Sequence, residues 1–145
     1  RDWSSNVCSS DLGFTVDMQA MDWQTVLARR SRKEAPDKGG WHGFMTAWVG
    51  ADLLDPIMTS FLSASCDKAA IGWPCDAKLE ELRDAYAKTT DAAKRKELAE
   101  AVQVRESEYP THAHLGQYNI PMALRKNVSG ILEAPAPVFW NVKKQ

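Results

Sequence analysis

The stretch DAKLEELRDAYAKTTDAAKRKELAEAVQVRESEY, residues 76–109, carries the clearest helical pattern in the chain. Asp76 is a good N-cap, and the apolar residues after it recur on one helix face: Leu79, Leu82 and Tyr86. A second helix is predicted from about residue 91 to residue 107, with one side made of Leu98, Ala101, Val102, Arg105 and Tyr109. The stretch therefore predicts a helical hairpin that turns at Thr89 and Thr90.

Strand patterns lie on both sides of this hairpin. Phe14, Val16 and Met18 alternate with polar residues, a helix is predicted over 22–33, and residues 41–49 form a second apolar segment. Strand, helix and strand at this separation predict a right-handed crossover between parallel strands. Residues 52–65 are predicted to be a loop that carries a short helix, and later strands are predicted at 111–118, 122–125, 130–132 and 138–142. The fold class that follows is α/β.

Length and charge exclude several classes of protein. The 145 residues, 44% of them hydrophobic, suit one globular domain, and the net charge of -1 provides no field that would gather nucleic acid. No apolar run reaches the roughly 18 to 20 residues that span a bilayer. Residues 1–12 are Ser-rich and aperiodic, so we interpret them as a non-native leader and exclude Trp3 and Cys8 from the site.

Cys66 and Cys75 form the remaining pair of cysteines, nine residues apart. In an oxidising compartment they would close a small loop, whereas in a reducing one they would be two free thiols, and the residues alone leave both open. A zinc site would need further ligands, for which the candidates are His42, His112 and His114. His112 and His114 would share one face of a strand, but most such pairs are simply polar strand faces.

Tryptophans give the strongest hint of a binding surface. Trp41 and Trp48 flank the second predicted strand, and Trp48 is followed by Asp52, near the strand end where α/β sheets place ligand crevices. An indole offers a broad flat surface, and a carboxylate beside it can hold an ammonium group. No phosphate loop, HExxH or GxSxG motif occurs, so the sequence predicts no enzyme, cofactor or metal centre.

Five segments in order resemble the C-terminal part of the extracellular solute-binding proteins of family 5, the peptide-, dipeptide- and nickel-binding components of ABC transporters. The matching segments are GFTVDMQAMDW (13–23), GGWHGFMTAWVGADLLDP (39–56), GWPCDAKLEELRDAYAKTTDAAKRKELAEAVQ (72–103), HLGQY (114–118) and VFWNV (138–142). Their order and spacing cover nearly the whole chain after residue 12. The resemblance implies that residues 13–145 are a fragment of the C-terminal lobe of a type II periplasmic-binding-protein fold.

This resemblance also implies a function and a site. In the peptide-binding members, an Asp four residues before a Pro binds the amino terminus of the ligand, and here that Asp is Asp52, flanked by Trp48 and Trp41. Ala47 replaces the family's Gly, and the spacing from Trp to Asp is one residue longer, which leaves the solute open between peptides and other small organic molecules. The resemblance favours a Cys66–Cys75 disulfide, a periplasmic or extracellular location, a monomer and a membrane permease as partner.

Two alternatives from other classes remain open at this point. One is a free-standing α/β interaction module that uses the hairpin of residues 76–109 as its contact surface. The other is a metal-dependent hydrolase that uses His112 and His114.

Overall fold

The computed structural model describes Gly13 and residues 15–145. The expected leader over residues 1–12 and the strand position of Phe14 lie outside the described residues. The helices are α1 (Trp23–Arg30), α2 (Ala77–Lys88) and α3 (Ala92–Glu108), and the strands are β1 (Val128–Ser129) and β2 (Lys143–Lys144). Single turns of 3-10 helix cover Pro36–Lys38, Gly50–Leu53, Ser60–Leu62 and Cys66–Lys68. No described helix is long and apolar enough to cross a membrane.

The chain divides into two compact units between Phe44 and Met45. In the first unit, Asp22 caps α1 by accepting hydrogen bonds from the backbone N–H groups of Gln24 and Thr25. The Arg29 guanidinium donates twice to the carbonyl oxygen of Gly40, at 3.2 and 3.0 Å. Gly40 is required there, because a Cβ atom would meet the Glu34 carbonyl oxygen at 1.8 Å.

The predicted hairpin is confirmed and forms the centre of the second unit. Asp76 caps α2 by accepting from two backbone N–H groups of the first helical turn, and Asp91 caps α3 by accepting from one, that of Lys94. The buried core between the helices and the preceding loop is small, and consists of Ala64, Leu79 and Val102 with Leu62 and Leu82 packed against them. The predicted loop with a short helix over 52–65 is also confirmed, as two 3-10 turns.

A disulfide joins Cys66 to Cys75, as the family resemblance implies. It closes a loop whose ends are also joined by a β-bridge between Ser65 and Cys75. Directly after the loop, Asp76 accepts two hydrogen bonds from the Arg105 guanidinium, at 2.8 and 3.1 Å. The loop, the start of α2 and the end of α3 are therefore fastened together.

The strand predictions over 13–19 and 41–49, and the parallel crossover between them, are wrong for the described residues, which form no strand there. Alternation favours extended backbone, but a strand also needs a neighbour with which to exchange hydrogen bonds. The later strand positions are wrong as well. Within the described residues, the sheet is β1 paired antiparallel with β2, Val128 opposite Lys144 and Ser129 opposite Lys143. The predicted helix over 22–33 ends earlier, because Ser31 caps α1.

Gly130 allows β1 to meet the end of the chain. Its φ of +78° lies in the left-handed region, and a Cβ atom there would meet the Asn141 carbonyl oxygen at 2.1 Å. The segment between α3 and β1 is much more open, since residues 113–125 are all exposed. Leu115 and Ile120 each leave 79% of their surface accessible.

Candidate functional site

Asp52 lies in the 3-10 turn Gly50–Leu53, with Trp48 two residues before the turn begins. The turn is closed by a hydrogen bond from the Asp52 backbone N–H to the Val49 carbonyl oxygen, at 3.1 Å. Thr59, which is buried, donates its hydroxyl proton to the Asp52 carbonyl oxygen at 3.4 Å. Within the described part of the chain, the Asp52 carboxylate is exposed and makes no hydrogen bond or ion pair. It is therefore open to a ligand.

Asp55, three residues later, is committed to the structure. Its carboxylate accepts from the backbone N–H groups of Ile57 and Met58, at 2.8 and 3.1 Å, and from the Tyr86 hydroxyl at 3.1 Å. Burial acts to raise the pKa of the Asp55 carboxyl group, but the hydrogen bonds outweigh it and hold the pKa below its usual value. The carboxylate that stabilises this turn is therefore that of Asp55.

Two arginines of the hairpin hold the same turn. Arg83 donates to the Pro56 carbonyl oxygen at 3.0 Å, and Arg95 lies 3.9 Å from Asp55 and 4.3 Å from the centre of the Tyr86 ring. The Asp55 turn is thus attached to both helices, and this attachment fixes the chain directly after the turn that contains Asp52.

A row of aromatic rings begins at Trp48 and stays within the second unit. Trp48 is 51% exposed and packs edge-to-face against Phe61, with ring centroids 5.7 Å apart. Phe61 lies 5.3 Å from His112, whose ring lies 4.5 Å from that of His114. The indole of Trp48 is therefore supported from behind and still presents a surface to solvent.

Trp41 belongs to the first unit, whereas Trp48 and Asp52 belong to the second. Trp41 is half-buried, donates its indole N–H to the Arg30 carbonyl oxygen at 3.0 Å, and packs edge-to-face on Phe44 at 5.0 Å. A ligand-binding role for Trp41 stays a prediction.

Glu106 and Thr111 are polar residues that the sequence did not single out. The Glu106 carboxylate accepts from the Thr111 backbone N–H at 2.9 Å and lies 3.3 Å from Nδ1 of His112. Burial lowers the pKa of His112, Glu106 opposes this effect, and His114 adds to it. Among the described residues, no group of three or more His, Cys, Asp or Glu side chains is arranged to hold a metal ion.

The comparisons with known proteins point to one class. No family model matches the chain. The chain is 30% identical over 134 residues to a protein of Sinorhizobium fredii named as the probable peptide ABC transporter periplasmic-binding protein y4tO. The match covers 92% of this chain and 25% of the relative, so the chain spans about a quarter of the length of the curated relative it matches. The similarity supports the family resemblance, and the relative's name is that of a binding protein rather than an enzyme.

Proposed function

We propose that this chain is part of a family 5 extracellular solute-binding protein, the non-catalytic capture component of an ABC importer for peptides or similar small organic solutes. The 30% identity to a protein named as a peptide ABC transporter periplasmic-binding protein supports this role. In it, a monomer captures the solute in the periplasm and then docks on a membrane permease.

The proposal includes the architecture of the whole protein. Residues 13–145 would contribute to the C-terminal lobe of an α/β type II periplasmic-binding-protein fold, and a second lobe would close over the solute by hinge motion. Closure would remove water from the site and strengthen any charged hydrogen bond there.

Asp52 is the residue to which we assign the amino group of the solute. The gross attraction between two charges 4 Å apart is about 4 kcal/mol at an effective dielectric constant of 20. After desolvation, a charged hydrogen bond contributes about 1.5 to 3 kcal/mol, whereas micromolar binding requires about 8 kcal/mol. Aromatic surface must supply part of the remainder, and the half-exposed Trp48 ring offers it.

The observation that carries this assignment is the contrast between two neighbouring carboxylates. Asp55 accepts three hydrogen bonds and holds its turn on the hairpin. The Asp52 carboxylate is exposed and, in the part of the chain that the structure describes, has no protein partner. A side chain that the fold does not use is available for a ligand.

Calorimetric titration of dipeptides tests the assignment in the complete two-lobed protein. Asp52→Asn should weaken the binding of Ala-Ala by about tenfold or more, because it removes a charged hydrogen bond. Asp37→Asn is the matched control, since Asp37 also lies exposed in a 3-10 turn, and it should leave the affinity unchanged. Amino-terminal acetylation of the dipeptide should reproduce the loss seen with Asp52→Asn. Equal affinities of the Asp52→Asn variant and the parent for every amine would refute the role.

A further inference from the structure

A concave site lies on the second unit, between the loop of residues 53–62, the C-terminal half of α3 and the segment that follows it. It is a cavity of about 460 Å³, and its lining includes Leu53, Leu62, Val102, Glu106, His112 and His114. This volume lies in the range of about 300 to 1,000 Å³ that small-molecule sites occupy. Asp52 is not among the residues that line it, so the cavity is separate from the carboxylate discussed above.

The hydrogen bonds at one end of the cavity fix the position of a proton. The Thr111 hydroxyl lies 2.7 Å from the Phe61 carbonyl oxygen and 3.1 and 3.2 Å from the Glu106 carboxylate oxygens, all of which can only accept, so its single proton is donated to one of these two groups. The Thr111 oxygen also lies 3.0 Å from Nδ1 of His112 and must accept from it. Nδ1 therefore carries a proton that faces the Thr111 oxygen, with the Glu106 carboxylate 3.3 Å away. A neutral His112 ring supplies no positive charge to Glu106.

Glu106 gives the cavity its charge. Only 13% of its side chain is exposed, and the polar contacts that the structure describes for it are with Thr111 and His112 rather than with a lysine or arginine. No lysine or arginine is among the described residues that line the cavity. A carboxylate that is largely removed from water is costly without a cationic partner, so a cationic ligand would be favoured here.

We propose that this cavity binds a small organic ammonium ion, which donates to the Glu106 carboxylate. The hydrocarbon part of the ligand packs against Leu53, Leu62 and Val102. Glu106 has acceptor capacity left for this ligand, because an ionised carboxylate offers about four acceptor positions. The proposal does not rest on the solute-binding role of Asp52.

Three ligands that share a benzyl or phenyl ring and differ in charge test the proposal on the 145-residue chain at pH 7.5. The probes are benzylammonium, benzyl alcohol and benzoate, and the readout is the ¹⁵N–¹H NMR signal of the Thr111 amide, which donates to Glu106. Benzylammonium should shift this signal saturably and bind about tenfold or more tightly than benzyl alcohol. Benzoate should not bind. Similar affinities for all three ligands would overturn the proposal.

Glu106→Gln removes the negative charge but keeps the size of the side chain and an acceptor for the Thr111 backbone N–H. It therefore tests the contribution of the charge alone. It should weaken benzylammonium binding by about tenfold or more and leave benzyl alcohol binding unchanged. Glu100→Gln is the control on the same helix, with a side chain 63% exposed, and should have no effect. A loss of benzylammonium binding in Asp52→Asn with no loss in Glu106→Gln would assign the amine to Asp52 and overturn the proposal.

Discussion

Residues 55–111, which we call the anchored region, differ sharply from the open segments before and after them in sequence, residues 45–54 and 113–125. The anchored region contains the buried core, the disulfide and the Asp76–Arg105 ion pair. The open segments expose large apolar side chains, among them Met45, Leu54, Leu115 and Ile120. The difference indicates that stability is concentrated in the anchored region, whereas the open segments, with Trp48 and Asp52, supply surface for recognition.

Truncation of two leucines should give the largest effect and tests this division. Leu79→Ala should lower the free energy of unfolding by about 2 to 5 kcal/mol, because Leu79 is completely buried in the small core. Leu115→Ala is its match in an open segment and should change the free energy by less than about 0.5 kcal/mol. Urea denaturation followed by circular dichroism measures both. A loss at Leu115 as large as that at Leu79 would remove the distinction between the regions.

Removal of the disulfide should have the next largest effect. Chain entropy predicts that closing a loop of about ten residues stabilises by about 2.5 to 3 kcal/mol. The double variant Cys66→Ala with Cys75→Ala should lose about this amount in the same denaturation experiment. The hairpin should retain its helical circular dichroism, because its caps are local. An unchanged midpoint would show that the β-bridge and the Asp76–Arg105 pair are enough to hold the loop.

A smaller effect is expected from acid. Hydrogen bonds from Arg105, together with those from the backbone at the start of α2, hold the pKa of Asp76 below its usual value, despite partial burial. The unfolded chain therefore takes up the proton first, and the stabilisation from ionised Asp76 is complete above about pH 4 and is lost as pH falls below that value. The free energy of unfolding, measured from pH 6 to pH 2, should fall less steeply in Asp76→Asn than in the parent. Parallel profiles would contradict the role given to this ion pair.

The hairpin could be predicted from the sequence because its signals are local. Asp76 and Asp91 stand where the helices begin, and the apolar residues that follow lie within the helices themselves. The strand predictions over 13–19 and 41–49 were wrong for the described residues, because alternation reports a preference for extended backbone and says nothing about a pairing partner. The family resemblance correctly implied the disulfide, which the spacing of the cysteines alone left open.

The candidate site, too, could be predicted from the sequence only where its residues are close together in the chain. Trp48 and Asp52 stood out because they are close in sequence, but their supports come from far along the chain. Thr111 donates to the Phe61 carbonyl oxygen across 50 residues, and Tyr86 reaches Asp55 across 31. No feature of the sequence singles out Glu106, and its burial beside His112 follows from the path of the chain after Pro110. Such contacts carry no periodic signal.

The central claim is that Asp55 stabilises the fold whereas Asp52 binds the solute. One paired measurement tests this claim most directly. In the complete protein, the free energy of unfolding and the affinity for Ala-Ala would be measured for Asp55→Asn and Asp52→Asn. Asp55→Asn should lose about 1 kcal/mol of stability, because the charge facing Tyr86 and Arg95 is removed. Asp52→Asn should keep its stability within about 0.5 kcal/mol and lose about tenfold or more in affinity. An Asp52→Asn variant that is destabilised but binds Ala-Ala as tightly as the parent would contradict the account.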